Sequence, residues 1–299
     1  MSVGVCISNY NSGAGIKDAI ESILDQTYKD IHFFVVDNCS GDESIEFLKK
    51  LKKDRPELIT LEILNEPEPN ALVTINKALK MCPYEFALIM DDDAYLLKSD
   101  TLLKLVNTLT KNQDAAVVGA NIVPYQMFMH DMYGNRLSEN EVDELGVVYN
   151  IEFHGSCALF RNKMLKNAGY YNESFKHYMN ELELSLLFLS VGQQVLFRSD
   201  AYAYHPRKSS IDKNKGLKYM QNYNAILRSF CDKPRRSAIL STIIHAYKFR
   251  QLKIEFIIGV ACEFINSLKK PSPIRFVDSD CRYIVSETLY NNLKKCITR

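Results

Sequence analysis

The first 123 residues alternate between short apolar runs and longer stretches in which apolar residues recur every three or four positions. Short runs bounded by turn residues predict buried strands, and the periodic stretches predict amphipathic helices. The predicted strands cover residues 3–8, 31–36, 60–64, 86–90 and 116–123. The predicted helices between them cover residues 15–26, a stretch ending at residue 53, and residues 71–81 and 100–110.

This alternation of strand and helix is typical of the α/β class and predicts a mostly parallel sheet flanked by helices on both faces. The carboxyl ends of parallel strands meet at one edge of such a sheet, where ligands bind. We therefore expect Ser8, Asp37 and Asp91, which follow or end three of the strands, to lie at a common edge.

Three adjacent carboxylates, Asp91, Asp92 and Asp93, directly follow the apolar run at residues 86–90. Neighbouring like charges repel by about 1 kcal/mol per pair in water and by more beside an apolar wall. A hard divalent cation such as Mg²⁺, Mn²⁺ or Ca²⁺ would neutralise them. A solvated acidic turn is the alternative, but the buried strand before the triplet favours the cation.

Composition indicates a globular protein, because 46% of the 299 residues are hydrophobic and one large domain with an appendage fits this length. The eight cysteines form no CxxC pair, which favours reduced core residues in a cytoplasmic chain. We found neither a secretion-signal pattern nor an uncharged apolar run of 18 residues, so the sequence predicts a cytoplasmic location.

Charge is distributed unevenly between two predicted regions. Residues 1–204 carry 18 Lys and Arg against 29 Asp and Glu, whereas residues 205–299 carry 19 against 7. We predict a domain over residues 1–210 and a basic, mostly helical extension over residues 211–299. The apolar surface at residues 239–268 could pack on the first domain, on a second copy in a homodimer, or peripherally on the anionic cytoplasmic face of the inner membrane. No nucleic-acid partner is predicted.

Common phosphate-binding loops are missing from the chain. No GxGxxG follows the first predicted strand, and GxxxxGK[ST] occurs nowhere, which argues against a dinucleotide-binding enzyme and a P-loop kinase or ATPase. A bound diphosphate would therefore need a metal ion or basic side chains to offset its charge.

Four segments, residues 8–11, 26–28, 35–42 and 88–93, resemble the successive motifs of family-two inverting glycosyltransferases with the Rossmann-like GT-A fold. The resemblance covers about residues 1–230 and is greatest to rhamnosyltransferase-like bacterial members. It implies transfer of a sugar, with inversion, from a nucleoside-diphosphate sugar such as a UDP- or dTDP-sugar. The implied acceptor is a glycan or lipid-linked glycan in bacterial surface polysaccharide synthesis.

On the donor side, the resemblance implies two groups of residues. Those that bind the nucleotide sugar are Ser8, Asn9, Tyr10, Asp37, Asn70, Asp91 and Asp92. Those that hold Mn²⁺ or Mg²⁺ are Asp91, Asp93 and His205. The alternatives are a helix cap for Asp37, which Asn38, Ser40 or Asp42 could provide instead, and a surface histidine for His205. At Asn70, relatives usually have a glycine-rich turn, so contact with the donor there is a departure from the pattern.

On the acceptor side, residues 180–184 resemble the family's Glu-Asp-x-Asp-Leu motif, with Glu181 in place of the Asp that acts as general base. Glu183 would orient or cap the helix start, and His154 would line the acceptor pocket. The alternatives are two glutamates stabilised only by the helix dipole and a histidine packed in the core. The stretch from 124 to 153 is predicted to be irregular and to cover the acceptor.

Two rival functions follow from the same residues. Because the base motif deviates from the family pattern, the chain could be a catalytically silent nucleotide-sugar-binding or scaffold protein. A sugar-1-phosphate nucleotidyltransferase uses similar carboxylates but needs a glycine-rich N-terminal loop with basic residues, which this chain lacks.

Overall fold

The computed structural model describes residues 1–65, 70–123, 146–150, 152–175 and 178–206, together with Asn222 and Ile226. These residues form nine strands and six helices. The strands are β1 (Val3–Asn9), β2 (Ile31–Asp37), β3 (Ile59–Ile63), β4 (Phe86–Asp91), β5 (Tyr95–Leu96), β6 (Ala115–Val123), β7 (Val147–Asn150), β8 (Cys157–Arg161) and β9 (Gln194–Tyr204). The helices are α1 (Gly15–Leu24), α2 (Glu43–Asp54), α3 (Ala71–Met81), α4 (Thr101–Lys111), α5 (Asn162–Ala168) and α6 (Asn180–Ser190).

One sheet holds all of these strands, in the order β3-β2-β1-β4-β8-β6-β9-β5, with β7 also paired to β9. The half from β3 to β4 is parallel throughout, as the strand and helix alternation predicted. In its register Asn9 lies beside Asp37, and Ser8 lies beside Asp91. The predicted convergence of these strand ends at one edge is therefore confirmed.

The other half of the sheet is mixed. β8 lies between β4 and β6 and runs antiparallel to both, while β6 and β9 are parallel. Every residue of β8 is buried, so this strand joins the two halves through the middle of the core. Its antiparallel direction brings the amino end of β8 to the edge where β4 ends, because Met90 pairs with Cys157.

Helices cover both faces of the sheet, each over its own apolar cluster. On one face α1, α2 and α4 contribute Ile20, Leu48 and Leu105 to the core. On the other face α3, α5 and α6 contribute residues such as Leu79 and Leu187. Because helices bury both faces of the sheet, the central strands have continuous apolar sequences. Across the described ranges, no helix has the length and apolar character needed to cross a bilayer.

The sequence prediction for residues 124–153 was wrong in part. Residues 147–150, within the stretch predicted to be irregular, form β7 against β9. The apolar segments 194–197 and 201–204 both belong to the single strand β9, although three polar residues interrupt them. A register shift absorbs the interruption, since the partner of β6 jumps from Arg198 at Ala120 to Tyr202 at Asn121. The predicted C-terminal extension lies outside the described residues, apart from Asn222 and Ile226.

Candidate functional site

Asn9 lies at the carboxyl end of β1 and is fully buried. Its Nδ2 donates to Asp37 Oδ2 at 2.6 Å and to Ser44 Oγ at 3.0 Å, and its Oδ1 accepts from Ser12 Oγ at 2.6 Å. Hydrogen bonds to a charged group contribute about 1.5–3 kcal/mol each. The Asn9 side chain therefore links the turns that follow β1 and β2.

Asp37, the last residue of β2, is also fully buried. Besides Asn9, its carboxylate accepts hydrogen bonds from Ser40 N at 2.9 Å and Ser40 Oγ at 2.6 Å. Asp42 caps α2 by accepting from Ser44 N, so the helix-cap alternative for Asp37 was wrong. These hydrogen bonds show that Asp37 fixes the turn that follows β2. Contact of Asp37 with a nucleobase stays a prediction.

We expect Asn9→Ala to lower the free energy of unfolding by about 1.5–3 kcal/mol, because it leaves the buried Asp37 carboxylate without one donor. Urea unfolding followed by circular dichroism would measure the change. Asn107→Ala is the matched control, since Asn107 is exposed on α4 and its loss should change stability by less than about 0.5 kcal/mol. Equal losses in the two variants would contradict the role of Asn9.

The structure brings Asp91, Asp93 and His205 together at the same edge. His205 Nε2 lies 3.3 Å from Asp91 Oδ2 and 3.2 Å from Asp93 Oδ1. One ligand atom from each of the three residues lies within 4.8 Å of the other two. The His205 backbone is fixed to β6 because its N–H donates to Val123 O at 3.0 Å. The predicted metal residues, which come from the ends of β4 and β9, thus form one cluster.

Two carboxylate oxygens and one imidazole nitrogen fit a hard or borderline divalent cation such as Mn²⁺ or Mg²⁺. The Asp91 side chain is 46% exposed, whereas those of Asp93 and His205 are 12% and 17% exposed. The cluster is therefore open on the Asp91 side, where a substrate could complete the coordination of the ion.

Asp92 contacts the first turn of the chain. Its Oδ2 accepts from Tyr10 N at 3.0 Å, and its carbonyl oxygen lies where a Cβ at Gly15 would approach to 3.1 Å. The acidic triplet is thus tied to the turn between β1 and α1, on which Tyr10 is 49% exposed. Ser8, on β1 two residues before Tyr10, is half-buried and pairs with Asp91 in the register of β1 and β4.

Asn70 begins α3 as its cap residue. Its Oδ1 accepts from Leu72 N at 3.0 Å, and its Nδ2 donates to Glu173 O at 3.2 Å. Its backbone is extended, with φ of −125°. Capping of α3 is enough to explain an asparagine at this position. Contact of Asn70 with a nucleotide sugar stays a prediction.

Glu181 lies in the first turn of α6. Its carboxylate lies against Gly155, at a position where a Cβ on that glycine would overlap Oε1. Burial, together with the negative charge of Asp91, raises the pKa of Glu181 to about 7. A carboxylate with this pKa can hold or release a proton near neutral pH.

Sequence reasoning missed Glu152. Burial raises the pKa of Glu152 to about 8, and the negative charge of Glu181 adds to the shift. The two glutamates therefore form an acidic pair, of which Glu181 is the member that also feels the charge of Asp91. In the sequence, Glu152 is visible only as a single carboxylate between Ile151 and Phe153, just before β8. Neighbouring residues do not indicate that it lies near Glu181.

Glu183 and His154 flank Glu181 in different ways. Glu183 is fully buried and accepts from Asn172 Nδ2 at 3.5 Å, so it is not an ordinary solvated glutamate. His154 Nδ1 accepts from Ser156 N at 3.1 Å, and its ring centroid lies 6.2 Å from that of His205. Burial lowers the pKa of His154, which favours the neutral ring. Roles for both residues toward an acceptor stay predictions.

The chain is similar in sequence to two transferases that act on poly(ribitol phosphate). It is 30% identical over 122 residues to a poly(ribitol-phosphate) beta-glucosyltransferase of Bacillus spizizenii, a match that covers 40% of this chain and 19% of the relative. It is 23% identical over 253 residues to the beta-N-acetylglucosaminyltransferase TarP of Staphylococcus aureus, covering 78% of this chain and 73% of TarP. The chain thus spans only about a fifth of the Bacillus relative.

The fold is similar to that of the mannosyltransferase PcManGT from Pyrobaculum calidifontis, solved in complex with GDP-Man and Mn²⁺. The TM-score is 0.62 at 17% identity, and the match covers 99% of this chain and 82% of the other. The predicted GT-A fold is therefore confirmed. These relatives do not bear on rhamnose, so the likeness to rhamnosyltransferase-like members stays a prediction.

A family model gives the most direct assignment. The model described as Glycosyl transferase family 2 matches residues 4–169, more than half of the 299 residues. This range includes β2, β4 and all but the first residue of β1, and the carboxyl ends of these strands supply Asp37, the acidic triplet and Asn9. The resemblance found in the sequence motifs is thereby confirmed at the level of the family, and the chain belongs to glycosyl transferase family 2.

Proposed function

We propose that this protein is a metal-dependent, inverting glycosyltransferase that moves a sugar from a nucleoside-diphosphate sugar to a glycan or lipid-linked acceptor. The observation that carries the proposal is the placement of the Asp91, Asp93 and His205 cluster beside a half-buried glutamate, Glu181, at one edge of the sheet. The cluster suits binding of a diphosphate with its cation, and Glu181 suits removal of a proton.

On the donor side, Asp91, Asp93 and His205 would hold Mn²⁺ or Mg²⁺. When bound, the cation would offset the negative charge that develops on the leaving diphosphate. Tyr10, exposed on the turn that Asp92 fixes, would contact the nucleoside together with Ser8. GDP-Man and Mn²⁺ in the structure of PcManGT support this kind of donor and cofactor for the present chain.

On the acceptor side, Glu181 would accept the proton of the attacking hydroxyl. Its carboxylate would take this proton as the oxygen attacks the anomeric carbon and the bond from that carbon to the diphosphate breaks, which inverts the configuration. A base is most effective when its pKa lies near the working pH, and a value of about 7 meets this condition.

The raised pKa of Glu181 leads to a prediction for pH dependence. Because only the ionised carboxylate can accept a proton, kcat/KM should fall about tenfold per pH unit below pH 7. Initial rates of nucleoside-diphosphate release between about pH 5 and 9 would give the profile. A midpoint near 4.5, the ordinary value for Glu, would contradict the proposed environment. The residual activity of Glu181→Gln should lack this acidic limb.

The experiment that tests the function is incubation with a panel of nucleotide sugars, Mn²⁺ and glycan acceptors. Release of nucleoside diphosphate together with a longer glycan supports a glycosyltransferase. Donor binding without turnover on any acceptor would support the silent binding protein. Formation of nucleotide sugar from a nucleoside triphosphate and a sugar 1-phosphate would support the nucleotidyltransferase.

Thermal unfolding identifies the base of the donor. A nucleoside diphosphate that binds the folded chain in the presence of Mn²⁺ raises the melting temperature, and one at 100 times its Kd stabilises by about 2.7 kcal/mol. The names of the two poly(ribitol-phosphate) transferases support a bacterial cell-surface glycan as the acceptor class. Peripheral contact with the membrane would suit such an acceptor.

A further inference from the structure

We propose that Gly155 is a positioning residue for Glu181, because the space left by its missing side chain holds the Glu181 carboxylate. A Cβ at Gly155 would overlap Oε1 of Glu181 and would lie 3.4 Å from its Cδ and 3.6 Å from its Cγ. The backbone of Gly155 is not in the left-handed region, so alanine would fit it without strain. The inference rests on the proposed role of Glu181 as the base.

The segment on the Gly155 side of this contact is held from both ends. Phe153 is 2% exposed, and its ring packs edge-to-face on that of Phe160 with centroids 5.1 Å apart. Ser156 O accepts from Asp91 N at 3.2 Å, while Ser156 N donates to His154 Nδ1 at 3.1 Å. This segment therefore cannot retreat from an added methyl group without breaking contacts in the core and the hydrogen bond to Asp91.

The helix on the Glu181 side is equally well seated. Leu182 and Glu183 are fully buried, and Glu183 N donates to Met179 O at 3.0 Å in the first turn. The end of the Glu181 side chain, although it has a hydrogen bond to the Asn180 side chain, is thus the part that can move most readily. A methyl group at position 155 should displace this carboxylate by on the order of 1 Å, and a misplacement of that size can lower a rate by about 100-fold.

Steady-state kinetics of Gly155→Ala tests the proposal. We expect kcat to fall by about 10- to 100-fold while KM for the nucleotide sugar stays within about twofold, because the methyl group lies on the acceptor side. Gly119→Ala is the matched control. A Cβ at Gly119 would touch the same segment at 3.4 Å from Phe153 Cβ, an ordinary contact distance, and would meet no atom of Glu181 within 4 Å, so kcat should be retained. An unchanged kcat in Gly155→Ala would overturn the inference.

A double variant separates positioning from general damage. Aspartate is one methylene shorter than glutamate, so Glu181→Asp should withdraw the carboxylate from the space that a methyl at position 155 occupies. We expect Glu181→Asp to lower kcat in the parent protein but to raise it in the Gly155→Ala protein. Additive losses in the double variant would mean that Gly155 acts through stability alone, and the inference would be wrong.

The outcomes also distinguish this inference from the proposed function. Activity lost in Glu181→Gln but fully retained in Gly155→Ala would overturn only the role of Gly155. A parent protein inactive toward all donors and acceptors would overturn the function, and crystal structures would then decide the positioning question. A Glu181 carboxylate that moves in Gly155→Ala but not in Gly119→Ala supports the inference, and one that stays in place overturns it.

Discussion

Replacement of Glu181 by glutamine should reduce kcat by about 10²- to 10⁴-fold, the usual contribution of a general base. Glutamine keeps the shape of the side chain and its contact with Gly155 but cannot take the proton of an attacking hydroxyl. The donor contacts proposed for Tyr10 and the acidic triplet do not involve this side chain. We therefore expect the affinity for the nucleotide sugar to stay within a few fold of the parent, as measured by calorimetry with Mn²⁺ present.

The control for this variant is Glu46→Gln, which makes the same chemical change on the exposed first turn of α2 and should leave kcat unchanged. Glycosyl transfer that proceeds at the parent rate in Glu181→Gln would exclude Glu181 as the base. Glu152 would then be the next carboxylate to test, since it is the other member of the acidic pair.

Asp93→Asn should lower both the affinity for Mn²⁺ and the turnover rate, each by about 10²- to 10³-fold, because an amide oxygen replaces a charged ligand. Asp93 is the more buried of the two carboxylates near His205, so solvent can replace its ligand atom less easily than that of Asp91. Titration of Mn²⁺ by electron paramagnetic resonance, with and without a nucleoside diphosphate, would measure the affinity.

Asp54→Asn removes the same charge from an exposed position at the end of α2 and is the control for a general electrostatic effect. This variant should bind Mn²⁺ with nearly the parent affinity, since salt screens charges that are more than about 10 Å apart at the surface. Parent-like Mn²⁺ binding and turnover in Asp93→Asn would show that the cluster is not the cofactor site.

The parallel half of the sheet was predictable because its strands are buried on both faces and its helices carry one apolar face each. A continuous apolar run and an apolar residue at every third or fourth position are both local properties of the chain. The positions of Asp37 and the acidic triplet followed, since carboxyl ends of parallel strands share an edge. The strand β5 was not predictable in this way, because Tyr95 and Leu96 are too short a run to show a period.

The acidic pair was only half predictable. Motif resemblance indicated Glu181, but the partner Glu152 lies 29 positions earlier and meets it only through the tertiary fold. The same holds for Gly155, whose contact with Glu181 depends on the register of β8 against β4. Burial of Asp37 was also missed, because the network around it joins two turns that are far apart in the sequence, those after β1 and β2.

The direction of β8 divides the proposed site between different stretches of polypeptide. The parallel strands β1, β2 and β4 supply the proposed donor half, whereas the amino end of β8 and the start of α6 supply the half that contains Glu181. Because the two halves come from separate stretches, selection or engineering could change the segment before β8 and leave the donor strands intact. Chimeras that exchange this segment between relatives should keep their specificity for the donor sugar and change their specificity for the acceptor.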